Sequence, residues 1–190
     1  MKRFITPDEI RRDSYVLASK VINDDFIPTH MVAIWRGGAN IGCCIHEFLK
    51  YLNIPTDHIA IRTSRYTGID EAASVVTVYN LGYLTERLTK DSKVLLVDDV
   101  FDTGLSISAV INSLQEKLGD NMPLDIRVAT VFYKPTRNQT IRVPDYYVHE
   151  SNEWIVFPHE LEGLTVKEIT QVMGQEIGDL VKAAVDKLDL

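Results

Sequence analysis

Short apolar runs alternate with amphipathic stretches along the chain. The runs Met31 to Trp35, His58 to Arg62, Ser74 to Tyr79, Val94 to Val97, Ile126 to Phe132 and Tyr146 to His149 have the length and side-chain type of strands. Between them, apolar residues recur at helical spacing over Asn40 to Leu52, Leu81 to Leu88, Gly104 to Lys117 and Thr165 to Leu188. An earlier helix opens at Thr6-Pro7-Asp8-Glu9, where a hydroxyl cap, a proline at the first position and a glutamate three residues after the cap coincide. Its apolar face continues through Ile10, Tyr15, Leu17, Ala18, Val21 and Ile22. Strands alternating with helices predict an α/β fold with a parallel, doubly wound sheet. The uninterrupted Val94-Leu95-Leu96-Val97 reads as a strand covered on both faces.

Two stretches break the alternation. Ser64-Arg65-Tyr66-Thr67-Gly68-Ile69-Asp70-Glu71 is polar and contains glycine, which predicts an exposed, mobile loop between two strands. Val148 to Leu164 carries Trp154-Ile155-Val156-Phe157-Pro158-His159-Glu160, an aromatic run stopped by proline that, taken alone, reads as a seal on the core.

Composition narrows the classes. At 190 residues the chain suits one α/β domain with a sizeable core. A net charge of −7 argues against a general nucleic-acid or membrane-surface role, since both need basic patches. Met1-Lys2-Arg3 runs into Ile5-Thr6-Pro7 without a long apolar segment, and no stretch approaches the ~20 apolar residues of a membrane span, so a cytoplasmic location is expected. The adjacent Cys43 and Cys44 fit packing on a helix better than a disulfide or a CxxC metal site. The five histidines show no metal-ligand spacing.

The stretch Val94 to Ser106, VLLVDDVFDTGLS, concentrates the chemistry. Ligands of open α/β sheets bind beyond the carboxyl ends of the strands. Here such an end carries Asp98 and Asp99, then Asp102-Thr103-Gly104-Leu105-Ser106 at the start of a helix. Backbone N–H groups at a helix start, with Gly104 allowing close approach and the hydroxyls of Thr103 and Ser106 beside them, form a cradle for a phosphate. Carboxylates do not face phosphate favourably, but they accept hydrogen bonds from sugar hydroxyls or help hold Mg²⁺. The pattern asks for a phosphorylated sugar with free hydroxyls. Bland readings stand beside it: paired aspartates also occur in unrelated Mg²⁺ sites, and Asp102 can simply cap the helix.

These thirteen residues resemble the phosphoribosyl diphosphate (PRPP) motif of the type I phosphoribosyltransferases, and the order of further segments, over about Val32 to Glu160, resembles the 6-oxopurine branch of that family. The resemblance implies the type I phosphoribosyltransferase fold, a mainly parallel twisted sheet flanked by helices, as a single domain over 1–190. It places a small hood mainly at about 135–165 and a C-terminal helix at about 165–188. It also implies an activity: transfer of the phosphoribosyl group of PRPP to hypoxanthine, guanine or xanthine, with Mg²⁺, giving a nucleoside 5′-monophosphate and pyrophosphate.

Residue by residue, the resemblance assigns Arg36-Gly37-Gly38 to the pyrophosphate loop, with a cis peptide between Trp35 and Arg36. Asp98 and Asp99 fall to the ribose hydroxyls, and Thr103, Gly104, Leu105 and Ser106 to the 5′-phosphate. Asp102, also within the PRPP motif, becomes the general base at purine N7, and adenine and orotate enzymes commonly lack a carboxylate there. Lys134, in Val131-Phe132-Tyr133-Lys134-Pro135, becomes the donor to the 6-oxo group. Trp154 becomes the stacking aromatic, and the Ile155 backbone reads the purine edge. Asp98, Asp99 and Glu160 become the candidate metal ligands. His159 stands where relatives often have tryptophan, Ser64-Arg65-Tyr66 departs from an adjacent Ser-Tyr pair, and either Arg62 or Arg65 can close over pyrophosphate. A homodimer or higher homo-oligomer is expected, with no nucleic-acid or membrane partner. The alternative from another class is a noncatalytic PRPP-sensing regulator, which would need the phosphate cradle but not Asp102, Lys134 and Trp154 together.

Overall fold

The computed structural model describes residues 2–66 and 75–189. In chain order the elements are β1 (Lys2–Phe4), α1 (Pro7–Asn23), β2 (His30–Trp35), α2 (Gly37–Tyr51), β3 (Asp57–Tyr66), β4 (Val75–Tyr79), α3 (Gly82–Thr85), β5 (Lys93–Phe101), α4 (Leu105–Leu118), β6 (Asp125–Tyr133), β7 (Tyr146–Glu150), β8 (Trp154–Val156), α5 (Val166–Met173) and α6 (Gln175–Leu188). They fall into two compact units, residues 11–152 and residues 1–10 with 153–190.

The larger unit holds a six-stranded sheet in the order β4-β3-β2-β5-β6-β7. Neighbours run parallel except β3 and β4, which pair antiparallel from Arg62↔Tyr79 to Tyr66↔Val75. Successive strand residues point to opposite faces. On one face Val32, Ile34, Leu96 and Val128 form a core with Leu84 of α3 and Ile107, Val110 and Leu114 of α4. On the other, α2 lies against β2 and β5, and Gly42 lets it come close, since a Cβ there would stand 3.1 Å from the Ala33 Cβ. From β2 the chain steps outward to β3, and from β5 it steps the other way to β6. The carboxyl ends of β2 and β5 therefore meet where the strand order reverses, the crevice that open α/β sheets use for ligands.

The smaller unit contains a two-stranded parallel sheet in which Lys2, Arg3 and Phe4 pair with Trp154, Ile155 and Val156. The Thr6 hydroxyl accepts from the Glu9 N–H at 3.2 Å while the Glu9 carboxylate accepts from the Thr6 N–H at 2.8 Å, so the capping box expected for α1 is formed. A second capping box joins Thr165 and Glu168 at the start of α5.

Several boundaries differ from expectation. The C-terminal helix of about 165–188 is two helices, broken at Gly174, whose φ of 94° lies outside helical space. The strand expected to end at Val97 runs on to Phe101, because β6 continues beside it through Asp98↔Thr130, Val100↔Phe132 and Phe101↔Tyr133. Ser64, Arg65 and Tyr66 belong to β3, paired with β4, rather than to a loop. Residues 67–71 of that expected loop, and Ser74 at the start of the next strand, lie outside the described residues.

Candidate active site

Asp98 and Asp99 stand near the end of β5, where the strand passes beneath the β2–α2 loop. Asp99 is 8% exposed, and a Cβ on Gly37 would fall 1.9 Å from one of its carboxylate oxygens. A Cβ on Gly38 would lie 2.2 Å from the Val97 carbonyl oxygen. Both glycines are thus fixed by packing against β5, in addition to any approach they give a ligand. The Asp98 carboxylate accepts from the Asp99 N–H at 3.0 Å and from the Gly38 N–H. Burial, and then the neighbouring Asp99 carboxylate, push the Asp98 carboxyl well above the usual carboxylate range, and a hydrogen bond between the two carboxyls works in the same direction.

Two adjacent carboxyls, Asp99 buried and Asp98 partly exposed, are a donor set suited to a hard divalent cation or to sugar hydroxyls. They line a cavity of about 190 Å³ together with Val100, Phe101, Asp102, Thr103, Gly104, Ser106 and Ile107. Its floor is the start of α4. Gly104 precedes that helix at φ 76°, and no side chain caps the amino terminus. The reading of Asp102 as a helix cap is therefore set aside; the Leu105 N–H donates weakly to the Thr103 hydroxyl at 3.5 Å, and the N–H groups of the turn that follows point to where an anion can bind.

The Asp102 carboxylate instead meets two cations. Arg137 Nε donates to Oδ1 at 2.5 Å and Lys134 Nζ donates to Oδ2 at 3.5 Å. Lys134 is buried, at 7% exposure, although lysine is ordinarily a surface residue. The segment after β6 carries both cations and runs along the Asp102 loop: the Lys134 N–H donates to the Phe101 carbonyl at 2.9 Å and the Gln139 N–H to the Thr103 carbonyl at 3.0 Å. Arg137 was not anticipated from sequence. Its pairing spans 35 positions, and the only local sign is a second cation three residues after Lys134, beyond a proline.

At the end of β2 the Trp35-Arg36 peptide is cis, as the resemblance implied. Arg36 is exposed at the start of α2. Arg62 is exposed too, its guanidinium 5.5 Å from the Tyr79 ring centroid, and Arg65 pairs with Val76 in β3. The larger unit thus brings together Asp98, Asp99, Asp102, the Thr103–Ser106 loop and Lys134, with the Gly37-Gly38 turn against β5. Trp154, Ile155 and Glu160 belong to the smaller unit. There Trp154 is 65% exposed on β8 while Ile155 is buried beside it. His159 stacks on Phe157 with ring centroids 5.2 Å apart, and the Glu160 N–H donates to the Phe157 carbonyl at 3.0 Å.

A family model described as the phosphoribosyl transferase domain matches residues 8–164. The chain belongs to this family. Several solved structures resemble the phosphoribosyltransferase chain over most of its length. The purine phosphoribosyltransferase of Pyrococcus horikoshii Ot3 is 29% identical with a TM-score of 0.68, over 86% of this chain and 97% of that one. A hypothetical protein from Neisseria gonorrhoeae with bound ppGpp is 22% identical with a TM-score of 0.68, over 90% and 95%. The xanthine-guanine-hypoxanthine phosphoribosyltransferase of Helicobacter pylori is 21% identical with a TM-score of 0.66, over 90% and 99%. The last two share the fold at low identity. No curated protein matches the chain in sequence. Among the described residues no helix is long and apolar enough to cross a membrane.

Proposed function

We propose that this phosphoribosyltransferase is a purine salvage enzyme that transfers the 5-phosphoribosyl group of PRPP to a 6-oxopurine, releasing pyrophosphate. The observation that carries the reading is the Asp102–Lys134 pair at the rim of a phosphate cradle: a buried ammonium that can donate to a 6-oxo group stands beside a carboxylate that can take a purine proton. The similarity to a purine phosphoribosyltransferase at 29% identity supports the same class.

In this reading the N–H groups at the start of α4, with the Thr103 and Ser106 hydroxyls, hold the 5′-phosphate. Asp98 and Asp99 accept from the ribose hydroxyls, and their charge favours the cationic ribose that forms as pyrophosphate leaves. Arg36 donates to the pyrophosphate oxygens. Lys134 fixes the purine through its 6-oxo oxygen, and Asp102 accepts the N7 proton. Mg²⁺, held by Asp98 and Asp99, would supply charge neutralisation of the pyrophosphate leaving group.

Replacing Lys134 with Met keeps the length and removes every donor. Turnover of the best 6-oxopurine should fall by roughly 10²-fold or more, as when a site built around a buried polar contact loses it, while PRPP affinity is retained. The measurement is pyrophosphate release under saturating PRPP, with PRPP binding followed separately. Undiminished turnover would remove Lys134 from purine recognition.

A further inference from the structure

Asp102 has two carboxylate oxygens, and the larger unit gives each a different cation: Arg137 on Oδ1 at 2.5 Å and Lys134 on Oδ2 at 3.5 Å. Both cations come from one segment. Its backbone is tied to the residues on either side of Asp102, Lys134 to Phe101 and Gln139 to Thr103. Between those ties, the turn Pro135–Arg137 closes with the Arg137 N–H on the Lys134 carbonyl at 3.1 Å, which returns the arginine to the side of the lysine. Beyond it the Thr140 hydroxyl donates to Asn138 Oδ1 at 2.9 Å and packs where a Cβ on Gly104 would come within 2.7 Å of it. An ion pair between free surface side chains loses most of its value to their entropy. Here the backbone has already brought the partners together.

The purine reaction places conflicting demands on this pair. Lys134 has to turn toward the 6-oxo oxygen, and Asp102 has to present an oxygen to the proton on N7. Were Lys134 the sole partner, the carboxylate would lose its anchor at the moment it is needed. We infer that Arg137 is the positioning residue of the proton acceptor: it holds Asp102 through Oδ1, so that Oδ2, released by Lys134, takes the N7 proton. In that step the N7–H bond breaks, the Oδ2–H bond forms, and the electron pair stays on the purine nitrogen. The inference rests on the proposed phosphoribosyl transfer and assigns separate tasks to the two oxygens and the two cations.

The test compares Arg137→Gln, Arg137→Lys, Asp102→Asn and the double variant D102N/R137Q in steady-state pyrophosphate release, with folding followed by circular dichroism. Arg137→Gln should lower kcat by about 10²-fold, the scale of a small misplacement of a reacting group, and change the KM for PRPP by less than about 2-fold. Arg137→Lys should recover at least about tenfold of the lost kcat by restoring a cation, and it carries the same split between kcat and KM if the Gln variant does not fold. The double variant should be no slower than Asp102→Asn, because residues acting as a unit are not additive. Unchanged kcat in Arg137→Gln, a loss confined to KM, no recovery with Lys, or additive losses in the double variant would each overturn the inference while leaving the function standing. A wild-type protein inactive with every 6-oxopurine would overturn the function and the inference with it.

Discussion

Gly104 is the position where the fold and the proposed phosphate cradle depend most directly on one hydrogen atom. Its φ of 76° is left-handed, and a Cβ there would stand 2.7 Å from the Phe101 ring and 2.7 Å from the Thr140 hydroxyl. In Gly104→Ala the left-handed backbone costs about 1–2 kcal/mol and forced contact with a buried ring about 1–3 kcal/mol, together roughly 2–5 kcal/mol. For a chain of this size that lowers Tm by roughly 4–20 °C. The same methyl group would displace the first turn of α4, so PRPP affinity should fall in parallel. The control is Gly82→Ala at the start of α3, where a Cβ meets nothing within 4 Å among the described residues and φ is ordinary. That variant should match the wild type or gain up to about 1 kcal/mol from better helix propensity. Thermal and urea unfolding with calorimetric PRPP titration read both effects. If Gly104→Ala proves as stable and as tight-binding as Gly82→Ala, the argument for the cradle is wrong.

Asp98 and Glu168 give opposite pH dependences. Burial and the Asp99 carboxylate raise Asp98 well above its ordinary 3.8, so its contribution to stability is fully present below that value and is lost as pH rises through the folded-state pKa. Asp98→Asn should therefore melt higher than the wild type at pH 7.5 in EDTA, and Mg²⁺ should stabilise only the wild type; parallel pH profiles would contradict the burial argument. The hydrogen bond from Lys2 at 2.8 Å, with those from the Thr165 N–H and hydroxyl, depresses Glu168 from 4.5 to about 2. That contribution is present above pH 4.5 and is lost as pH falls toward 2, so Glu168→Gln should flatten this part of the melting profile, less so in high salt because the group is exposed. Superimposable acid limbs would exclude the Lys2 contact as a source of stability.

What could be read from sequence followed the range of the signal. Local periodicity located the central strands β2, β5 and β6 because their apolar runs are buried on both faces, as Val94 to Val97 is, and the flanking β3, β4 and β7 by residue type although they are partly exposed. It stopped β5 too soon because Asp98 and Asp99 look like the end of a strand, whereas the pairing with β6 that carries them is set by a segment some 30 residues later. The β1–β8 pair was invisible for a similar reason: three-residue strands, one of them containing Lys2 and Arg3, joined across about 150 positions. The amphipathic run holds two glycines, Gly174 and Gly178, and the pattern did not announce that the helix breaks at the first and continues through the second. Motif chemistry marked Asp102 and Lys134 separately, but their ion pair and the second partner Arg137 depend on how the loop after β6 folds back. The glycines after Arg36 were identified for a different task, and their tight fit against Val97 and Asp99 is a packing fact that no local pattern records.

In the proposed function the buried ammonium and its neighbouring carboxylate select a 6-oxopurine. The most direct measurement is pyrophosphate release from PRPP with Mg²⁺ and, in turn, hypoxanthine, guanine, xanthine and adenine. A donor at the 6-position of adenine would face the donor of Lys134, and a site that depends on such a contact discriminates by roughly 10⁴-fold. Turnover is expected with at least one of the three 6-oxopurines and almost none with adenine. Efficient use of adenine, or no release with any of the three, would contradict the proposed function.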